Sequence, residues 1–170
     1  NILENLDIDK FQYNSEKYLM NLISAMDYAF FDRAKYLGDP DFFNVPQELL
    51  ISKQYAKDIS IKIKNKEELQ KIKITVSESE ETTHFSIVDK WGNAVSNTYT
   101  LNTAYGSGIV PTGTGILMNN EMDDFSSKPG YPNVYGLIGS EANKIEPKKT
   151  PLSSMTPVIV FKEDKPFLVT

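Results

Sequence analysis

Thr82, Thr83, Thr98 and Thr100 flank a stretch that reads as a β-hairpin. Phe85, Ile87 and Val88 lie on one side of Asp89-Lys90-Trp91-Gly92-Asn93, and Val95, Tyr99 and Leu101 on the other. If the hairpin is symmetric about Trp91, Thr82 falls directly opposite Thr100, at the spacing of a cross-strand pair, and two hydroxyls share one site. A threonine hydroxyl is a poor nucleophile at neutral pH and needs a base beside it. One solution is the free α-amino group of the same threonine at a chain start. Cleaving the Glu81–Thr82 bond would create that group. Its unperturbed pKa of roughly 7.7 to 8.0 lies close to working pH, so the neutral amine can take the hydroxyl proton and return it to a leaving group, with no histidine or metal required. Threonine also suits strands for packing reasons alone, and composition leaves both readings open.

Other residue types invite chemistry less directly. Glu121, Asp123 and Asp124 cluster closely enough for a Ca²⁺ loop, and equally for a solvated acidic turn. His84 is the single histidine. Along a strand it follows Thr82 by two and reads as a packed or hydrogen-bonded neighbour, not a base. Trp91 sits at the hairpin turn without aromatic companions and makes no stacking platform.

These side chains need elements to position them. Leu19, Leu22, Ile23, Met26 and Phe30 recur at helical spacing, Ser15 is a cap, and Gly38-Asp39-Pro40 a stop, which predicts a helix over 15–37. Pro46 suits a first helical turn, and Leu49, Leu50 and Tyr55 extend a second helix towards Ile59. Residues 65–81 are rich in Lys, Glu and Ser and read as a charged, exposed connection, a natural place for a cleavable junction. After the first hairpin comes a long glycine-containing loop region from Gly106 to Gly139. Residues 158–161 and 167–170 then suggest another hairpin.

Bulk properties bound the function. With 40% hydrophobic and 24% charged residues, the 170-residue chain is ordinary for a globular domain with a sizeable core. A net charge of −5 and no dense basic run argue against nucleic acid as a partner. The absence of cysteine removes disulfides, thiolate metal sites and a cysteine nucleophile together. No stretch approaches the roughly 18 apolar residues of a membrane span. The acidic start Asn1-Ile2-Leu3-Glu4-Asn5 lacks a signal-peptide layout, so any signal is expected upstream.

The wording of the central stretch is more specific than its composition. Thr82-Thr83-His84-Phe85-Ser86-Ile87-Val88-Asp89, Gly92-Asn93-Ala94-Val95-Ser96 and Thr98-Tyr99-Thr100-Leu101-Asn102 resemble the start of the gamma-glutamyltransferase small subunit. The resemblance continues through Asn119-Asn120-Glu121-Met122-Asp123-Asp124-Phe125, Lys128-Pro129-Gly130, Pro132-Asn133-Val134-Tyr135-Gly136-Leu137 and Pro151-Leu152-Ser153-Ser154-Met155, in the family's order. Upstream, Asp32-Arg33 and Tyr36-Leu37-Gly38-Asp39-Pro40-Asp41-Phe42 are similar to the end of the large subunit.

The resemblance implies an N-terminal-nucleophile hydrolase. The fold would be α+β and part of a four-layer αββα architecture, with helices in the N-terminal half and antiparallel strands in the C-terminal half. Residues 1–81 would close the large subunit and 82–170 open the small one, the two forming a heterodimer from one self-cleaving precursor. Thr82 would be nucleophile and base, taking the gamma-glutamyl group of glutathione or another donor as an ester. Water, an amino acid or a dipeptide would then accept that group. Thr100 would hydrogen-bond the nucleophile. Asn102, Glu121 and Asp124 would accept from the donor's α-amine, Ser153 and Ser154 would donate to its α-carboxylate, and Tyr135 would screen the site from a lid loop. No cofactor or metal is implied, and bacterial members are usually exported to the periplasm or medium.

The chain departs from the family pattern at its ends. The family continues into a Gly-Ser-Pro-Gly-Gly turn whose amides form the oxyanion hole, where loss of one donor costs about 10² to 10³ in rate. That turn and a large-subunit arginine lie outside these residues, so the chain reads as a fragment. Alternatives are a related acylase, a poly-gamma-glutamate-cutting enzyme, or an incompetent fragment with a folding or binding role.

Overall fold

The N-terminal half is helical because its caps and apolar spacings agree. In the computed structural model, which describes residues 1–67, 82–133 and 136–170, helix α1 spans Glu16–Tyr36. The Ser15 hydroxyl accepts from the Tyr18 amide at 3.3 Å, satisfying one of the donors a helix start leaves unpaired. Leu37 ends the helix in extended conformation, as the Gly38-Asp39-Pro40 stop requires.

The predicted second helix is two. One turn, α2, covers Gln47–Leu50, and α3 covers Lys53–Lys64. Ser52 lies between them in extended conformation, and its hydroxyl accepts from the Tyr55 amide at 3.1 Å. A serine that can cap a new helix competes with continuation of the old one, which is why the apolar run breaks here. Helix α3 packs on α1 and on a 3₁₀ turn at Leu3–Asn5, burying Leu6, Ala25, Tyr28, Ala56 and Ile59. The Tyr55 hydroxyl bridges α3 to α1 through both Asp32 carboxylate oxygens, at 3.1 and 3.0 Å. Burial, and next the Asp32 hydrogen bond, push the Tyr55 phenol up to about 12. The predicted connection over 65–81 lies outside the described residues beyond Glu67.

The C-terminal half carries two antiparallel hairpins. Strands β1, Thr83–Val88, and β2, Ala94–Tyr99, pair through the predicted turn. Strands β3, Ile159–Lys162, and β4, Lys165–Val169, form the second pair. Glu163 and Asp164 join β3 to β4 with φ of 51° and 58°, the doubly left-handed turn that matches strand twist. The Ser96 hydroxyl on β2 donates to the Thr170 carbonyl at 2.7 Å and holds the hairpins side by side.

The chain divides into two compact units. The first is drawn from Asn1–Val76 and Ser126–Thr150, the second from Ser77–Phe125 and Pro151–Thr170. This is a division of packing, distinct from any division by cleavage. In the first unit the later segment adds buried Ala142, Asn143 and Lys149 to the helical core. In the second the buried residues among those described are Asn102 and Phe125, while β1 is exposed along its length.

Ser52→Ala removes the cap that starts α3. The expected outcome is a loss of about 1 kcal/mol in the unfolding free energy of the full-length parent protein, read by urea denaturation. Unchanged or raised stability would show that the apolar pattern tolerates a continuous helix, and that Ser52 does not set the break.

Candidate active site

The first hairpin is set by its turn. Asp89 accepts from the Trp91 and Asn93 amides, both at 2.9 Å, and from Asn93 Nδ2 at 2.7 Å. The Asn93 side-chain bond leads the causes that hold the Asp89 carboxyl below its ordinary value. Gly92, at φ 88°, takes the left-handed position. The resulting register pairs Thr83 with Tyr99, Phe85 with Asn97 and Val88 with Ala94, symmetric about Trp91. The strands end at Thr83 and Tyr99, and the same symmetry continued by one pair would face Thr82 with Thr100. Thr82 is exposed and Thr100 half-buried.

The Thr100 hydroxyl oxygen accepts from the Asn102 amide at 2.9 Å. A hydroxyl that accepts through one lone pair still has its O–H to donate, so Thr100 can offer a proton to an oxygen across the hairpin. His84 lies on β1, two residues after Thr82 and opposite Thr98. Its Nδ1 is 2.7 Å from Thr98 Oγ1 and its Nε2 3.1 Å from Ser86 Oγ. The ring is thus the hydrogen-bonded neighbour expected of it.

Beyond β2, Asn120 latches two loop segments together. Its amide donates to the Leu101 carbonyl at 3.1 Å, and its Oδ1 accepts from the Thr103 amide and hydroxyl, each at 3.2 Å. The Asn120 carbonyl accepts from Asn102 Nδ2 at 3.3 Å. Asn102 itself is buried, with φ of 77°. Gly106 closes the intervening loop at φ 51°, where a Cβ would strike the Met118 carbonyl oxygen. Asn120 therefore carries the 3₁₀ turn Glu121–Asp124 directly from the segment that contains Thr100 and Asn102.

Glu121 is a strongly perturbed carboxyl in this turn. Its Oε1 is buried without a hydrogen-bond partner. Burial first, then a hydrogen bond with Asp124 and that group's charge, raise it to about 7. Two carboxyls joined by a hydrogen bond share a proton, and an ammonium would replace that proton with N–H donors and positive charge. Among the described residues no group of three His, Asp or Glu side chains is arranged to hold a metal ion.

Ser153 and Ser154 stand on an exposed run without regular secondary structure in the same unit, where Ser153 Oγ accepts from the Met155 amide at 3.1 Å. Tyr135 lies outside the described residues. The structure thus joins Thr100, Asn102 and the Glu121–Asp124 turn through the Asn120 latch, and leaves Thr82 immediately before β1 of the hairpin. Sequence reasoning missed Asn120 and Thr103 as positioning residues. Asn120 stood within a quoted motif, but its role depends on contacts that no local pattern reveals.

Comparison with known proteins shows which family the chain is similar to. A family model described as Gamma-glutamyltranspeptidase matches residues 1–170. The glutathione hydrolase proenzyme of Escherichia coli (strain K12) is 53% identical over 175 residues, covering 100% of this chain and 30% of the relative. A solved threonine-to-alanine mutant of Helicobacter pylori gamma-glutamyltranspeptidase shares 63% identity at a TM-score of 0.50, over 51% of this chain and 47% of that one. Cephalosporin acylase from Bacillus halodurans matches at a TM-score of 0.69 and 25% identity, over 99% of this chain and 29% of that one. The α+β arrangement is therefore a segment of the N-terminal-nucleophile hydrolase fold, and the chain spans about 30% of the length of the curated relatives it matches.

The Glu121 environment has a measurable consequence. A carboxyl whose folded pKa, about 7, exceeds its ordinary 4.5 stabilises the fold when protonated, and that contribution is lost as pH rises through about 7. Glu121→Gln should therefore gain stability relative to wild type between about pH 5 and pH 8, read as urea midpoints of the full-length protein without substrate. A difference independent of pH would contradict a shared proton at this turn.

Proposed function

The chain belongs to the gamma-glutamyltranspeptidase family, and from that premise we propose that its full-length parent is a self-cleaving gamma-glutamyl acyltransferase and glutathione hydrolase. The observation that carries the reading is the antiparallel register of β1 and β2, which ends on Thr83 opposite Tyr99 and, extended by one pair, would face Thr82 with Thr100. The parent cuts its own Glu81–Thr82 bond, residues 1–81 ending a large subunit and 82–170 beginning a small one. The new Thr82 amine takes the proton from its own hydroxyl, whose oxygen attacks the donor's γ-carbonyl carbon. Collapse of the tetrahedral adduct breaks the amide bond, and the amine returns the proton to the departing nitrogen. Water then releases glutamate from the ester, and an amino acid or dipeptide instead receives the gamma-glutamyl group.

In this reading Thr100 donates to Thr82, an assignment supported by the Asn102 amide occupying one of its lone pairs. Glu121, Asp124 and Asn102 hold the donor's ammonium, supported by the buried, unpartnered Glu121 oxygen beside a second carboxyl. Ser153 and Ser154 donate to the α-carboxylate, supported by their place in the same compact unit. Tyr135 belongs to a lid, and the protein is exported; both assignments rest on the family alone.

A second reading is favoured by the match to cephalosporin acylase over 99% of the chain. There the same threonine would cut a different amide. Both readings require an acyl group on Thr82, and they differ in which donor supplies it. Acid-quenched mixtures of the full-length protein with glutathione should show a gamma-glutamyl mass increment on the peptide beginning at Thr82, absent from Thr82→Ala, with turnover reduced to background. An adduct only from donors lacking a gamma-glutamyl group would favour the acylase reading. Undiminished glutathione turnover by Thr82→Ala would end both.

A further inference from the structure

The segment Tyr36-Leu37-Gly38-Asp39-Pro40-Asp41-Phe42 takes no part in the site described above, yet its contacts are specific. The Lys35 carbonyl, in the last turn of α1, accepts from Ser140 Oγ at 2.9 Å. Gly38 lies backbone to backbone against Ala142, where a Cβ would strike the Ala142 carbonyl and stand 3.2 Å from the Asn143 amide nitrogen. Ala142 and Asn143 are only 1% and 6% exposed, so neither has room to yield.

Asp39 follows Gly38 and grips the end of the same downstream segment. Its Oδ2 accepts from the Thr150 amide at 2.8 Å, and its Oδ1 from the Asp41 amide at 3.0 Å. The Lys149 side chain is 1% exposed, with its ammonium 3.0 Å from Glu146 and 5.8 Å from the centre of the Phe42 ring. All of these contacts lie within the first compact unit.

That unit is drawn from chain on both sides of Thr82, whereas the second lies downstream of Val76. We infer that residues 35–42 and 140–150 form a clasp that keeps the two products of self-cleavage in one molecule, with Gly38 and Asp39 as its anchors. The inference rests on the proposed cut between Glu81 and Thr82. Before the cut the covalent chain holds the two segments at high effective concentration; afterwards only non-covalent contacts do. The clasp needs these residue types because only glycine fits against the Ala142 carbonyl, and a short carboxylate reaches two backbone amides at once.

The test uses the full-length protein with an affinity tag on the upstream piece, washed with graded urea. Intact masses report the cut, and the bound fraction reports retention of the downstream piece. From Asp39→Asn the downstream piece should leave roughly three- to tenfold faster than from wild type at the same urea concentration, as expected on losing a charge-assisted acceptor. Gly38→Val should release it faster still, and if that variant fails to fold, Asp39→Asn decides. In a Thr82→Ala background neither substitution should release any piece. Two correct masses that stay together as long as in wild type would overturn the clasp while leaving the cut intact. A single uncut mass in wild type would end both.

Discussion

The antiparallel register of the first hairpin is the constraint on which the site depends. Side chains alternate faces along a strand, so a slip of one residue would set Thr82 against Tyr99 or Leu101 and remove the hydroxyl pair. Nothing in the β1 sequence prevents that slip by burial, because β1 is exposed throughout. The Asp89 carboxylate prevents it by accepting from Trp91 and Asn93 together. One short side chain at the turn therefore decides which residues meet at the other end of the hairpin.

Asn120 transmits that placement to the acidic turn. It bonds Leu101, Asn102 and Thr103 on one side and leads into Glu121–Asp124 on the other. The buried, unpartnered Glu121 oxygen and its neighbour Asp124 are a cost to the fold that the proposed binding of a donor ammonium would offset. In the first unit, Asp39 does for two chain segments what Asp89 does for two strands: a carboxylate takes backbone amides that no regular element would satisfy.

Features governed by neighbours in sequence were legible. Ser15 and the apolar spacing gave α1 its start and length, and Gly92 and Asn93 gave the first hairpin its centre. Features governed by competition or by distant contacts were not. The apolar run from Leu49 to Ile59 hid the break at Ser52, because capping and helix continuation draw on similar residue types. For Thr82 the residues alone left two options open, and the family wording favours the nucleophile. The latch by Asn120 and the grip of Asp39 on Thr150 join residues far apart in sequence, which no periodicity records.

The most direct test is the intact mass of the full-length parent protein after folding, with Thr82→Ala beside it. Wild type is expected to yield two pieces divided between Glu81 and Thr82, and the variant to remain one chain. Wild type that stays whole, or a variant that divides at the same bond, would contradict the assignment of Thr82 as the nucleophile.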